Sequence, residues 1–189
     1  MRTPCASFGG ASTILAFFSS AACLLGCPPE AAPADETPEL PVEASRCPTD
    51  FPEDYPETRT VELGYGTGAD FEPWPDGFAA KLYHGSQGLE MTTPSLRVPA
   101  KDGEPDEACL RVRLVNDYHG QIFSDDTFVD ALQTSVRFVR TGSFYVTDGH
   151  LYNALSFSRD QLVDIDITIT ARVQGPGFEA THSQTQLFE

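Results

Sequence analysis

Apolar and polar residues alternate through most of the chain beyond residue 59. The clearest case is Val163–Val173, where every second residue is apolar and the residues between are Asp, Thr or Arg. Leu110, Val112 and Leu114 alternate with arginines in the same way. A period of two is typical of a strand with one buried and one solvated face, so this part of the chain is predicted to be β structure.

Turn residues divide the alternating pattern into about eight strands. Residues 148–149 (Asp-Gly) are a hairpin signal, residues 175–177 (Gly-Pro-Gly) end the longest strand, and residues 116–120 are expected to form another turn. Pro94 has no amide hydrogen and favours an edge strand. The pattern predicts that residues 59–189 fold as an all-β, antiparallel two-sheet β-sandwich, immunoglobulin-like in a broad sense, with a closed barrel as the alternative.

A second pattern occupies the N-terminal end of the chain. Residues 1–26 contain one arginine and no acidic residue, and Ile14–Leu25 are apolar or small. This run is too short for a transmembrane helix, which needs roughly 20 apolar residues. It is typical of a signal peptide instead, and residues 1–26 are therefore predicted to be one.

The apolar run ends in Leu-Leu-Gly-Cys at residues 24–27, and this motif resembles the lipobox of bacterial lipoproteins. In that family the cysteine receives a diacylglyceryl group and a peptidase cleaves the chain before it. The resemblance implies that Cys27 is lipidated and holds the protein in a bilayer, with the outer membrane of the cell envelope as the expected location. Ordinary secretion, with cleavage near residues 21–22, is the alternative.

The segment after the lipobox differs in composition from both of its neighbours. Residues 28–58 contain eight of the 15 prolines, and their nine acidic residues face a single arginine. Proline opposes helix formation, and like charge with low hydrophobicity opposes collapse. Residues 27–58 are therefore predicted to be a lipidated cysteine followed by a disordered tether that holds the folded domain away from the membrane.

The cysteines divide into three groups. Cys5 and Cys23 belong to the predicted signal peptide, and Cys27 is the predicted lipid site. Cys47 and Cys109 remain, and two cysteines in an exported protein are candidates for a disulfide. That bond would attach the end of the tether to the folded domain; two unrelated thiols are the alternative.

Three segments of the predicted domain resemble the small, uncharacterised β-sandwich lipoproteins of the Gram-negative envelope. They are "LGYGTGADFEPWPDG" at 63–77, "LYHGSQG" at 82–88 and "SLRV" at 95–98. The resemblance covers residues 60–173. It implies the β-sandwich fold and the envelope location, and it assigns no functional site.

Charge excludes one class of partner. The chain has 28 acidic and 12 basic residues, which give a formal net charge of −16. The sequence contains no basic stripe, so nucleic acid is not an expected partner. The same charge would keep the domain away from anionic lipid, in agreement with a tether.

Aromatic residues are the first candidate site. Five of them lie close together in the sequence: Tyr65, Phe71, Trp74, Phe78 and Tyr83. Exposed rings of this kind could form a platform for a glycan or a peptide. The alternative is that Trp74 and the phenylalanines fill the end of the core.

Two sets of residues are candidates for metal binding. Copper would suit the histidines together with a methionine: His84, His119, His150, His182 and Met91. Calcium would suit the acidic loops: Asp102, Glu104, Asp106 and Glu107, with Asp125 and Asp126. Neither set has the spacing of a metal motif, so we expect no metal and no cofactor.

Three patterns partly match catalytic motifs: a dinucleotide-loop spacing at Gly64, Gly66 and Ala69, Ser86 two residues after His84, and the pair Asp164 and Asp166. The glycines are followed by prolines instead of a helix. A nucleophile elbow has glycine two residues before the serine, and here that position is His84. The aspartates lie on a predicted solvated face. These observations favour a protein that is not an enzyme.

The sequence as a whole therefore predicts a non-enzymatic binding or structural module that is anchored at the cell envelope through Cys27. The expected partner, besides the bilayer, is an envelope protein, peptidoglycan or another glycan. A calcium- or copper-binding protein is the alternative, and a hydrolase is a third hypothesis.

Overall fold

The computed structural model of the chain describes residues 39–50, 54–77, 80–85, 87–119, 129–163 and 165–187, with backbone alone at 119, 129 and 130. The predicted signal peptide (1–26), the predicted lipid site Cys27 and the tether as far as residue 38 lie outside the described residues. Within these ranges the structure contains no helix long and apolar enough to span a bilayer.

The strands account for most of the described chain. They are β1 Glu57–Arg59, β2 Glu62–Tyr65, β3 Glu72–Pro73, β4 Tyr83–His84, β5 Glu90–Thr92, β6 Ser95–Pro99, β7 Glu107–His119, β8 Val129–Thr141, β9 Phe144–Thr147, β10 Asn153–Ala154, β11 Asp166–Gly175 and β12 Phe178–Leu187. A 3-10 turn at Gly68–Asp70 and a single helical turn, α1 Arg159–Leu162, are the helical elements of the described residues.

These strands form two sheets. The large sheet has the order β1-β12-β11-β7-β8-β9-β6-β2-β3, and the small sheet has the order β10-β5-β4. Neighbours are antiparallel except β1, which runs parallel to β12 and makes the large sheet mixed. The prediction of an all-β, two-sheet architecture is confirmed, and the Gly-Pro-Gly turn at 175–177 joins β11 to β12 as expected.

The alternating residues of β7 and β11 build the centre of the core. Ile167, Ile169 and Ala171 on β11 have no exposed surface, and the strand opposite buries its own aliphatic residues equally well. Burying each such side chain contributes about 1.5–3 kcal/mol to the free energy of unfolding. The predicted inward face is thus confirmed from residue 167 onward, whereas Val163 lies before the strand and is exposed.

The hairpin predicted at residues 148–149 does not form. β9 ends at Thr147, and the chain then crosses to the small sheet, where β10 pairs with β5. The physical reason is that β9 already has β8 on one edge and β6 on the other. No edge of β9 is left for a hairpin partner, so residues 148–149 lead the chain from the large sheet to the small sheet instead.

The stretch around Pro94 is two strands rather than one. β5 belongs to the small sheet and β6 to the large sheet, and Thr93 and Pro94 form the buried link between them. Because proline lacks the amide hydrogen that a ladder requires, this position suits a change of sheet. The carbonyl of Pro94 accepts a hydrogen bond from the Leu151 amide at 2.8 Å.

The turn expected at 116–120 is also wrong, because β7 continues to His119. Asn116 is fully buried there and exchanges side-chain hydrogen bonds of 3.2 and 2.8 Å with Asn153 of the small sheet. Asn153 also donates to the Thr92 hydroxyl at 3.1 Å. Buried polar groups require such partners, and this network joins the two sheets at a defined register.

The end of the predicted tether belongs to the large sheet. The amide of Cys47 donates to Ser135 at 3.0 Å, and the amide of Arg137 donates to Ser45 at 2.8 Å, so residues 45–47 lie along a free edge of β8. The prediction assigned residues up to 58 to a disordered tether. A free strand edge offers unpaired backbone groups to any chain that can reach them, and such pairing does not depend on apolar side chains.

A disulfide fixes the same segment covalently. The Sγ atoms of Cys47 and Cys109 are 2.06 Å apart, and their Cα atoms are 6.0 Å apart. Cys109 lies on β7, one of the central strands of the large sheet. The structure therefore contains the bond that the cysteine count predicted, and it connects the N-terminal segment to the middle of the fold.

Candidate functional site

An aromatic cleft lies between the end of β2 and the small sheet. We use this name for the cavity of about 230 Å³ that is lined by Tyr65, Trp74, Ala80, Lys81, Tyr83, Thr92 and Thr93. Three of these side chains are among the five aromatic residues that the sequence singled out.

The backbone around Trp74 holds its ring between the core and the cleft. The backbone amide of Trp74 donates to the Leu63 carbonyl at 2.9 Å. The Trp74 carbonyl accepts a 2.9 Å hydrogen bond from the side-chain amide of Gln184. The residue is 8% exposed and packs with the hydrophobic core. Trp74 therefore belongs to the core and also lines the cleft, two positions that the sequence offered as alternatives.

A tight turn presents Tyr65 at the rim. Gly66 has a φ of 73°, and a Cβ at this position would lie 2.1 Å from the Asp70 carbonyl oxygen, so only glycine fits. Tyr65, directly before the turn, is 40% exposed. The Tyr65 hydroxyl donates a hydrogen bond to Glu72, and this bond raises the pKa of Tyr65.

The small sheet provides the opposite wall and the floor. Tyr83 is half-buried, and the Lys81 ammonium lies 5.2 Å from the centre of its ring, within the range of a cation–π contact. Thr92 and Thr93 are buried. Pattern analysis of the sequence missed Lys81 and the threonines, because they enter the site only when β4 and β5 pair.

The cleft combines ring surfaces, hydroxyl groups and one ammonium group. Its volume is below the about 300–1,000 Å³ of most small-molecule pockets, so it fits one ring or side chain of a longer ligand. Among the described residues, no carboxylate lines it. The lining thus suits a polar ligand with an apolar face, and its described residues include no acid–base pair of the kind that glycoside hydrolysis uses.

Phe71 of the predicted platform is not among the described residues that line the cleft. It is buried, and the Arg97 guanidinium covers its ring at 4.7 Å. Phe78 lies outside the described residues. Of the four aromatic residues of the platform that the structure describes, Tyr65, Trp74 and Tyr83 line the cleft.

No two of the described histidine side chains share a hydrogen-bond partner. The His84 Nδ1 atom is 2.9 Å from a carboxylate oxygen of buried Glu90, and His150 Nδ1 is 2.9 Å from the Thr93 carbonyl oxygen. His182 is exposed on β12, and the side chain of His119 lies outside the described part of the chain. Among the described residues, no group of three His, Cys, Asp or Glu side chains could hold a metal ion.

The acidic loop at 101–107 is occupied by ion pairs. Arg59 donates to both oxygens of Glu104, at 3.1 and 2.5 Å, and to Glu57 at 2.6 Å. Lys101 completes this group, the Arg59 network, by donating to Glu57 at 2.5 Å. Asp102 and Glu107 lie 3.5 and 3.7 Å from the nearest arginine nitrogens. These contacts leave the loop without the converging oxygens that calcium prefers.

The catalytic patterns find little support in the described geometry. The glycines at 64–68 lead into the 3-10 turn Gly68–Asp70, which is too short to present the helix N-terminus that a dinucleotide loop needs. Asp166 is exposed on β11. Ser86, Asp164, Asp125 and Asp126 lie outside the residues that the structure describes.

Comparison with known proteins adds no assignment. No family model, no curated protein and no solved structure matches the chain.

Proposed function

We propose that this chain is a lipid-anchored protein of the bacterial cell envelope, acylated at Cys27, whose β-sandwich binds a glycan in the aromatic cleft without catalysing a reaction. The observation that carries the binding role is the convergence of Tyr65, Trp74 and Tyr83 around one cavity between the sheets. The lipobox-like motif at residues 24–27 carries the anchoring role.

A sugar ring is the ligand class that the lining favours. One face of a pyranose is apolar and stacks on aromatic rings, while its hydroxyl groups require hydrogen-bond partners. Tyrosine and tryptophan combine a flat apolar surface with a polar atom, and Lys81, Thr92 and Thr93 supply further polar groups. The open, small cavity accepts one ring of a chain whose other units remain in solvent, as in peptidoglycan or another envelope glycan.

Fluorescence titration tests the binding role directly. The chain contains one tryptophan, Trp74, so its emission reports on the cleft alone. Soluble peptidoglycan fragments are the probe, and we expect a saturable change in emission. Because an aromatic contact contributes about 0.5–1.5 kcal/mol, Tyr65→Ala and Tyr83→Ala should each weaken binding by roughly two- to tenfold.

Leu187→Ala is the control for these variants, since Leu187 is exposed on β12 and is not part of the cleft lining. Unchanged emission at millimolar fragment, or an equal loss of affinity in the Leu187→Ala variant, would show that the aromatic cleft is not a peptidoglycan-binding site.

A labelling experiment tests the anchor separately. Cells that express the protein are fed radiolabelled palmitate, and label is expected in the wild type and in the Cys23→Ala variant, because Cys23 lies in the predicted signal peptide. Label should be absent from Cys27→Ala. Incorporation that persists in Cys27→Ala would contradict the anchor and would leave the glycan hypothesis unaffected.

A further inference from the structure

The outward face of β7 and β11 carries a second cleft, distinct from the aromatic one. Its volume is about 360 Å³, and we call it the arginine cleft after its lining, which consists of Tyr55, Arg111, Arg113, Gln133, Arg172 and Gln174. It shares no lining residue with the aromatic cleft.

Strand register brings these arginines together. Arg113 on β7 lies directly opposite Arg172 on β11 and opposite Gln133 on β8, and Arg111 lies opposite Gln174. Cβ atoms of directly opposed residues in antiparallel strands are about 4.5–5.5 Å apart. Two guanidinium groups at this spacing can reach the same small anion.

The composition of the lining is unusual for this protein. The chain has 28 acidic and 12 basic residues, yet the described lining of the cleft contains three arginines and no acidic residue. Like charges directly opposite each other in a sheet repel. An anion bound between Arg113 and Arg172 would reduce that repulsion.

The neighbouring contacts leave one arginine for a ligand. Arg172 pairs with Glu179, which also accepts a 3.0 Å hydrogen bond from Gln174. These contacts lower the pKa of Glu179, with Arg172 as the main cause. Arg113 is exposed and makes no ion pair or side-chain hydrogen bond with any other described residue.

We propose that the arginine cleft is a binding site for a phosphate group. Guanidinium groups bind carboxylates and phosphates through paired hydrogen bonds. Arg172 is already paired with the Glu179 carboxylate, so the ligand must offer more than one further carboxylate could. A phosphate monoester does so, because it carries a charge of about −1.5 to −2 and three acceptor oxygens at neutral pH. Phosphate can therefore contact Arg113 and its neighbours at the same time, and the side-chain amide of Gln133 lines the cleft beside it.

Isothermal titration calorimetry in phosphate-free buffer tests this site. The probes are inorganic phosphate, glucose 6-phosphate, glucuronate and glucose. We expect heat from both phosphates and none from glucose. Arg113→Gln should weaken phosphate binding at least tenfold, because it removes the guanidinium that has no other described partner, and Arg113→Glu should abolish it.

Arg46→Gln is the matched control. It removes the same charge from an exposed side chain that does not line the arginine cleft, and it should leave phosphate affinity unchanged. Tyr83→Ala should also leave it unchanged, so a failure of the glycan proposal would not affect this result. Thermal melting of Arg113→Gln checks that the variant is folded.

The outcomes separate the two sources of phosphate and define failure. Tighter binding of glucose 6-phosphate would assign the site to a phosphorylated sugar, and equal binding would assign it to phosphate alone; both support the proposal. Absence of binding, equal losses in Arg113→Gln and Arg46→Gln, or tighter binding of glucuronate than of either phosphate would overturn it.

Discussion

The Arg59 network and the arginine cleft are two regions in which arginine has opposite surroundings. Arg59 is 6% exposed at its side chain, pairs with two carboxylates and covers the Phe178 ring at 3.9 Å. Arg113 is exposed and faces another arginine across the sheet. Carboxylates of the chain neutralise Arg59, whereas Arg113 has no ion pair with any other described residue.

The difference shows how to distinguish structural arginines from functional ones in an acidic protein. Where carboxylates outnumber cations, an arginine that stabilises the fold readily finds one, as Arg59 finds Glu57 and Glu104. A cleft whose described lining has three arginines and no acidic residue therefore departs from the average surface of this protein. Four predictions test this contrast, in order of decreasing effect.

Removal of Arg59 should have the largest effect. Arg59→Met would leave Glu57 and Glu104 without their main partner beneath the 101–107 loop, and loss of one member of a buried pair is strongly destabilising. Because both carboxylates are partly exposed and can recover some hydration, we expect a loss of about 2–4 kcal/mol in the free energy of unfolding. Urea denaturation measures it.

Arg46→Met is the control, since its pair with Glu43 is exposed and such pairs contribute about 0–1 kcal/mol. Similar losses in the two variants would remove the distinction between a structural and a surface arginine.

Acid should weaken the Arg59 network next. Hydrogen bonds from Arg59, and then from Lys101, lower the pKa of Glu57 from 4.5 to about 2, and Arg59 lowers the pKa of Glu104. Carboxylates with a depressed pKa contribute stability that is complete above their ordinary pKa and is lost as the pH falls toward the folded value. The urea concentration at the midpoint of unfolding should therefore decrease as the pH is lowered from 4.5 to 2.

The double variant Glu57→Gln Glu104→Gln should show a flatter dependence on pH over the same window. An equally steep decline in that variant would assign acid sensitivity to other carboxylates.

Removal of Glu179, the carboxylate that pairs with Arg172, should strengthen phosphate binding. Glu179→Gln would release Arg172 from its ion pair, and one additional charged hydrogen bond of about 1 kcal/mol corresponds to a roughly fivefold gain in affinity. Calorimetry with inorganic phosphate measures the change. Unaltered affinity in this variant would show that Arg172 does not contact the anion.

Removal of Arg113 should have the smallest effect on folding, and in the opposite direction to that of Arg59. Arg113→Thr relieves the repulsion from Arg172 and places a β-branched residue in a strand, so a gain of about 0.5 kcal/mol in the free energy of unfolding is expected. The urea midpoint again measures it. A loss of more than that amount would mean that Arg113 has a structural role.

The sequence predicted those features that depend on local pattern. Alternation identified the buried face of β11 from Ile167 to Val173, and the turn at 175–177 identified its hairpin with β12, because both are determined by residues close together in the chain. The Asp-Gly turn at 148–149 failed because the edges of β9 are filled by β8 and β6, and no local signal encodes that competition.

The clefts required information that pattern alone does not contain. Tyr65, Trp74 and Tyr83 attracted attention as aromatic residues, but Lys81 and Thr92 join them only through the position of the small sheet. Arg113 could be recognised as outward-facing from the alternation of β7. Its position opposite Arg172, which lies 59 residues later in the chain, depends on the register between β7 and β11, and register is set by tertiary contacts.

The Cys47–Cys109 bond has a mechanical consequence if the chain is moored at Cys27. A pulling force on the N-terminal segment would first act on the hydrogen bonds that residues 42–46 make with β8 and His150. These bonds would break one at a time. At Cys47 the load would pass through sulphur into β7, between β11 and β8. Further unravelling from that end would stop there, and the clefts would keep their shape under tension.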